Sequence, residues 1–215
     1  MYQTHGLHTV SIEEQTGIQA LERIAADLLP KSGLLTRREY EYIRHGTIGL
    51  FGNLHVATGK NLSPLIRETR TEEDFVENID GLINTAPDAP WRFVTDNLNT
   101  HVSETLVFYY TADACGIETD LGVKGCRGIL NSVETRRAFL ADKSLRIHII
   151  YTTKRSSWLN QIEIWFGTLR RKLTRYGSFC PIDDLSARIN RFIDHYNETM
   201  AKPYRWTCDG TLLCK

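Results

Sequence analysis

No stretch of this 215-residue sequence is apolar for the roughly 18 residues that a membrane span requires. Its first residues, Met1-Tyr2-Gln3-Thr4-His5, lack the basic region and hydrophobic run of a signal peptide, so a cytoplasmic protein is expected. Cysteine is sparse and falls in no CxxC spacing: Cys115, Cys126, Cys180, Cys208 and Cys214. That odd set argues against a disulfide framework and against a structural zinc site, and for reduced thiols. Net charge is missing too, with 26 Lys+Arg against 26 Asp+Glu, so the overall balance identifies no partner.

The 41% apolar and 24% charged content suits one soluble globule with a continuous core, and residues 1–215 are expected to form a single domain. The zero balance hides an asymmetry. Residues 1–142 carry 13 Lys/Arg and 20 Asp/Glu, whereas residues 143–215 carry 13 and 6. A basic second half is suited to nucleic acid, although oppositely charged parts of one fold packing together explain it equally well.

Short runs rich in β-branched and aromatic residues at 7–12, 40–43, 47–51 and 54–58 predict antiparallel strands, broken at His45-Gly46 and Gly52-Asn53. Thr71 followed by Glu72-Glu73-Asp74 is a capping-box start for a helix that stops before Pro87. A strand at 91–95 ends in Asp96, and a helix is expected over 103–114. Residues 116–142 contain Gly116, Gly122, Gly125 and Gly128 and are expected to form an inserted loop. A strand over 146–151 and helices over 159–174 and 183–198 complete a mixed α/β sheet of the ribonuclease H type.

Two carboxylates stand out. Asp96 closes a strand, the position where ligands bind in α/β sheets, although Asn97 and Asn99 favour a turn role equally natural to Asp. Glu163 lies 67 positions later, beside the apolar helical stripe of Ile162, Trp165, Phe166 and Leu169. An ordinary solvated helix acid would look the same. Separated carboxylates at the edges of regular elements are what a magnesium-dependent phosphoryl-transfer site uses. Lys154, Arg155, Arg170, Arg171 and Lys172 gather around Glu163 in sequence and could neutralise phosphates.

Longer blocks carry a resemblance. They are Thr16-Gly17-Ile18-Gln19-Ala20-Leu21-Glu22-Arg23, residues 37–47, Asp96-Asn97-Leu98-Asn99-Thr100-His101, Ser156-Ser157-Trp158-Leu159-Asn160-Gln161-Ile162-Glu163-Ile164-Trp165-Phe166, Tyr196-Asn197 and residues 201–207. In this order they resemble the catalytic domain of DDE transposases, in the bacterial insertion-sequence branch of the mariner superfamily. The resemblance implies a ribonuclease H-like, integrase-like domain that cleaves and joins DNA during transposition and recombination. It also implies two Mg2+ ions, with Mn2+ as substitute, held by three acids. Asp96 takes the second acid's place and Glu163 the third. Asn160, Asn97 and His101 would support the site, and Lys154 and Arg155 would meet DNA. Insertion-sequence ends and target DNA would be the partners, with a homodimer as the allowed assembly and no membrane.

Two departures accompany it. The family's first strand ends in Asp-Glu where this chain has Glu13-Glu14, so Glu13 stands in the first acid's place with an extra methylene. The N-terminal helix-turn-helix segments of the family are expected to be absent. The alternatives are therefore a remnant that keeps only DNA or partner binding, and a general ribonuclease H-like nuclease or resolvase.

Overall fold

The computed structural model describes residues 6–153 and 159–204. A five-stranded sheet in the order β3-β2-β1-β4-β5 forms its centre. β1 (His8–Arg23) and β2 (Tyr42–His55) are antiparallel, and β3 (Leu65–Arg67) adds to β2's far edge. β4 (Trp91–Thr95) and β5 (Ile147–Tyr151) run parallel to β1. An antiparallel β1–β2–β3 meander extended by two parallel strands, with helices on both faces, is the ribonuclease H-like arrangement expected from the sequence.

The first two strands differ from their sequence-based bounds. His45-Gly46 is absorbed as a bulge inside β2, opposite the register shift between Gln19 and Leu21, and Gly52-Asn53 lies in regular pairing opposite Glu13 and Ile12; a further shift falls in β1, between Gln15 and Ile18. An extra residue in one strand of a ladder bends it without ending it. Residues 40–43, 47–51 and 54–58 therefore do not form three strands; they contribute to β2 and the turn after it, and the third strand is β3.

α1 (Glu72–Ile83) starts as the sequence suggests. Thr71 caps it, and the Asp74 side chain accepts from the Thr71 amide at 2.7 Å in a reciprocal capping box. α2 (Glu104–Tyr109) is capped by Ser103 and continues as a π-helical turn over Tyr110–Ala114. The glycine-containing interval holds an additional helix, α3 (Val133–Leu140), capped by Ser132. α4 (Ile162–Leu169) also continues as a π turn, over Arg170–Thr174, and α5 (Ile182–Thr199) follows.

Alternation along the strands builds two cores. Val10, Ile12, Phe51 and Phe93 face α1 and α2, packing with Phe75, Ile79, Leu106 and Tyr110. Ile18, Ala20, Leu50 and Leu54 face α4 and α5, packing with Ile162, Trp165, Leu185 and Ile189. α4 comes close enough that a Cβ on Gly52 would stand 2.8 Å from the Phe166 ring. A glycine opposite Glu13 in the ladder thus lets α4 lie against the centre of the sheet, and this sets the height of the residues described next.

Candidate active site

β1 pairs with β4 only from His8 to Ser11, where Ser11 lies opposite Val94. Two residues further on each strand come Glu13 and Asp96, side by side where the parallel pairing ends. Glu13 is therefore not the last residue of its strand, as the sequence suggested. β1 continues past it to Arg23, but its parallel neighbour stops, and the carboxyl edge of β4 opens beside it.

Period-two alternation sends Ser11 and Glu13 to the α4 face. The Ser11 hydroxyl hydrogen-bonds the Asn160 side-chain oxygen and also accepts from the Ile162 amide at 3.1 Å. Asn160 is buried; its Nδ2 donates to the Ile12 carbonyl at 2.8 Å and to Glu13 Oε2 at 3.3 Å. One strand residue and one asparagine thereby fix the start of α4. Glu163 follows in the first turn, its amide bonded to the Asn160 carbonyl at 3.2 Å. Its side chain is exposed.

Glu14 points to the other face and meets His101, which is buried. His101 Nε2 bonds Glu14 Oε1 at 2.9 Å, and Nδ1 lies 2.9 Å from Asp96 Oδ1. Nδ1 also lies 2.9 Å from the Thr95 hydroxyl, and the ring packs on Phe75 with centroids 4.2 Å apart. The two acids bonded to the imidazole differ in access, since the side chain is 5% exposed for Glu14 and 34% for Asp96. Asp96 Oδ1 also accepts from the Leu98 amide at 2.9 Å, so the turn role foreseen for it and a place in the acid cluster coexist. Asn97 donates to the Thr152 carbonyl and ties this turn to the end of β5.

The electrostatics follow from these contacts. Burial pushes the Glu13 carboxyl up to about 7, reinforced by the nearby Asp96 charge and only partly opposed by the Glu14 amide, Asn160 and His101. Burial also works against a charge on His101, but the hydrogen bonds and charges of Asp96 and Glu14 outweigh it and raise the imidazole to about 9. The hydrogen bond from His101 holds Asp96 below the usual carboxylate range against its own partial burial. His101 is thus held as an imidazolium between the Asp96 and Glu14 side chains, and the Glu13 carboxyl beside them keeps its proton more tightly than an ordinary glutamate.

Arg170, Arg171 and Lys172 are exposed on the π-helical continuation of α4. Arg170 and Arg175 line a groove of about 370 Å³ against β1 residues Gln15, Ile18 and Leu21. Lys154 and Arg155 lie outside the described residues. A larger cleft, of about 930 Å³, adjoins the turn after Asp96; Asn97, Asn99, Arg137, Lys143 and Tyr151 are among its lining residues. Sequence reasoning missed Ser11, Glu14 and Arg137. Only the period-two spacing of Ser11 from Glu13, and the place of Glu14 next to Glu13 in the strand, could have pointed to the first two.

A family model described as DDE superfamily endonuclease matches residues 14–186. The chain belongs to that family. DDE endonucleases generally use divalent metal ions, and the matched span includes Asp96, Asn160 and Glu163 but begins one residue after Glu13. Among solved structures the chain is similar to the Mos1 transposase paired-end complex with left transposon end, at 10% identity and a TM-score of 0.49. That similarity covers 88% of this chain and 48% of the other, so the chain spans about half the length of that transposase chain. No curated protein matches the chain. Among the described residues, no helix is long and apolar enough to cross a membrane.

Proposed function

We propose that this DDE endonuclease domain is the catalytic domain of a bacterial insertion-sequence transposase of the mariner superfamily. It would act in the cytoplasm, cleaving the element's DNA ends and transferring them to target DNA. The observation that carries this reading is the meeting of Glu13 and Asp96 at the open edge between two parallel strands. There burial and the Asp96 charge both work against a charge on Glu13, and Asn160 links Glu13 to the helix that bears Glu163.

The donor set fits hard divalent cations. It offers carboxylate oxygens, one carboxyl whose proton affinity is raised by burial and by the neighbouring Asp96 charge, and an exposed third carboxylate on Glu163. Two Mg2+ ions, replaceable by Mn2+, held by Glu13, Asp96 and Glu163, would supply the charge stabilisation that in-line displacement at phosphorus needs. The chain's own residues would do the positioning. His101 fixes the Asp96 carboxylate through a charge-assisted bond, and Asn160 orients Glu13 while anchoring α4. Asn97 holds the turn after β4 against β5. The exposed Arg170, Arg171 and Lys172, with Lys154 and Arg155, would neutralise backbone phosphates, the sequence-independent part of DNA affinity. A homodimer on paired DNA ends is the assembly this reading favours, and residues 1–215 would act as one catalytic unit.

A second reading has one specific support. Glu13 in place of aspartate sets its oxygens one methylene further out, and magnesium demands near-ideal octahedral geometry. A misplacement of about 1 Å can cost roughly 100-fold in rate, which would leave a DNA-binding remnant with little chemistry.

The test is calorimetric Mn2+ titration of the chain beside Asp96→Asn and Glu163→Gln, followed by cleavage assays on element-end DNA. Mn2+ binding and strand cleavage by the unaltered chain, both lost in the two variants with the fold intact, is the expected result. Full cleavage by Glu163→Gln would sink the site assignment, and DNA binding without cleavage in any of the proteins would select the remnant.

A further inference from the structure

A second constellation of metal-binding side chains sits at the opposite end of β1. Glu22, His45 and Cys180 place one ligand atom each within 4.8 Å of one another. Glu22 Oε2 and His45 Nε2 are 2.7 Å apart, and the Cys180 thiol hydrogen-bonds the same glutamate. Glu22 lies nine positions along β1 from Glu13, roughly 30 Å of extended chain, so this cluster lies well away from the candidate active site.

Three separate segments build it, and each is held in place by contacts of its own. Glu22 is near the end of β1, opposite Ile43. His45 lies in the irregularity of β2, where three steps from Arg44 to Thr47 oppose two from Leu21 to Gln19. Such bulges re-aim side chains, and Gly46 beside it takes φ +122°, a conformation that disfavours any other residue. Cys180 belongs to the segment before α5, which is tied to β1 by Phe179 N to Leu21 O and by Arg23 N to Ser178 Oγ, both 2.9 Å. Ile182, the first residue of α5, packs on Gly46 closely enough that a Cβ there would lie 2.8 Å from its Cδ1.

We propose that Glu22, His45 and Cys180 bind one Zn2+ or a similar borderline-soft divalent ion. One imidazole nitrogen, one thiolate and one carboxylate are the donors zinc takes, with bonds of about 2.0 to 2.3 Å. Such bonds put tetrahedral ligand atoms roughly 3.3 to 3.7 Å apart. The present 2.7 Å Glu22–His45 contact would therefore open by more than half an ångström as the ion replaces the shared protons. Asp184, whose charge reaches the Cys180 thiol, adds negative potential on the α5 side, and the exposure of Cys180 leaves a fourth position to water. The ion would staple the outer ends of β1 and β2 to the start of α5. Magnesium, which prefers oxygen ligands, is a poor fit here, so the two sites should sort metals by chemistry.

The test is Zn2+ titration of the reduced full chain by calorimetry, with excess Mg2+ present to occupy the acid site and Co2+ substitution read by absorbance, in the unaltered protein and in Cys180→Ser, His45→Gln and Glu22→Gln. Expected are one Zn2+ equivalent and a thiolate-to-cobalt charge-transfer band. Cys180→Ser should abolish the band and weaken Zn2+ binding at least ~100-fold, as loss of a direct ligand exceeds loss of an outer partner. Asp96→Asn should leave both unchanged. Absence of the cobalt band in the unaltered chain would overturn the proposal without reliance on any variant. So would binding that survives Cys180→Ser but disappears in Cys208→Ser, Cys214→Ser or Asp96→Asn.

Discussion

Glu13 and Glu14 are neighbours in the chain and opposites in environment. On one face of β1, Glu14 is closed off from water and bonded to an imidazolium that is itself bonded to Asp96. On the other face, Glu13 has an amide for a partner in place of a cation and stands beside a like charge. The two faces teach different things. The Glu14 side is a buried network in which both acids are bonded to one shared imidazolium, and pairing of this kind is how such groups are tolerated inside proteins. The Glu13 side is left with surplus negative charge, the condition under which a carboxyl keeps its proton or takes a cation.

The largest expected effect comes from breaking the satisfied side. His101→Ala would leave Glu14 buried without a counter-charge beside a cavity, and removing one partner of a buried pair typically costs about 3 to 5 kcal/mol. Urea denaturation at pH 7 should show that loss, and Glu14→Gln in the same background should recover part of it. If His101→Ala unfolds no more readily than the unaltered chain, the clamp is not a stabilising network and the contrast fails.

The second effect has the opposite sign and concerns the surplus side. The Glu13 carboxyl binds its proton more tightly folded, at about 7, than unfolded, at 4.5. A raised pKa contributes stability below the unfolded value that is lost as pH climbs through the folded one. Glu13→Gln should therefore equal the unaltered chain near pH 4.5 and exceed it above pH 7, by at most about 3 kcal/mol before solvent screening reduces it. His101, raised from 6.5 to about 9, also loses stabilising power as pH rises, but over a higher window and in both proteins, so the difference curve isolates Glu13. Measured without divalent ions, a flat difference between pH 4.5 and 8 would show that Glu13 is not crowded.

Much of this arrangement was legible in the sequence. Asp96 stands at a strand end bounded by Pro90 and Asn97, Thr71 and Asp74 make a local cap, and the stripe of Ile162, Trp165, Phe166 and Leu169 fixes α4. All of these depend on near neighbours. What escaped depends on pairing across long separations. The bond between Glu14 and His101 spans 87 positions, and that between Ser11 and Asn160 spans 149; no local pattern encodes either. His45-Gly46 read as a break because the residue types of a turn and of a bulge are the same, and only the partner strand decides between them. α3 was hidden by the glycines that precede it, although Ser132 and Thr135 form a capping pair of the same kind that revealed α1.

The smallest effect is the one that sharpens the contrast most, because it alters one methylene. Glu13→Asp would draw the carboxylate back from Asn160, whose Nδ2 now lies 3.3 Å from Glu13 Oε2, toward the strand end beside Asp96. If the aspartate position is the one at which metal geometry is best, cleavage of element-end DNA should rise by ~10-fold, a fraction of what about 1 Å of misplacement can cost. The gain should be larger in Mg2+ than in Mn2+ if strict octahedral geometry is what the extra methylene disturbs. Stability should change little, since the carboxyl stays in the same crowded place beside Asp96. An unchanged or lower rate, with the fold intact, would mean that Asn160 and the α4 start have been set for a glutamate, and that Glu13 is a working member of the site.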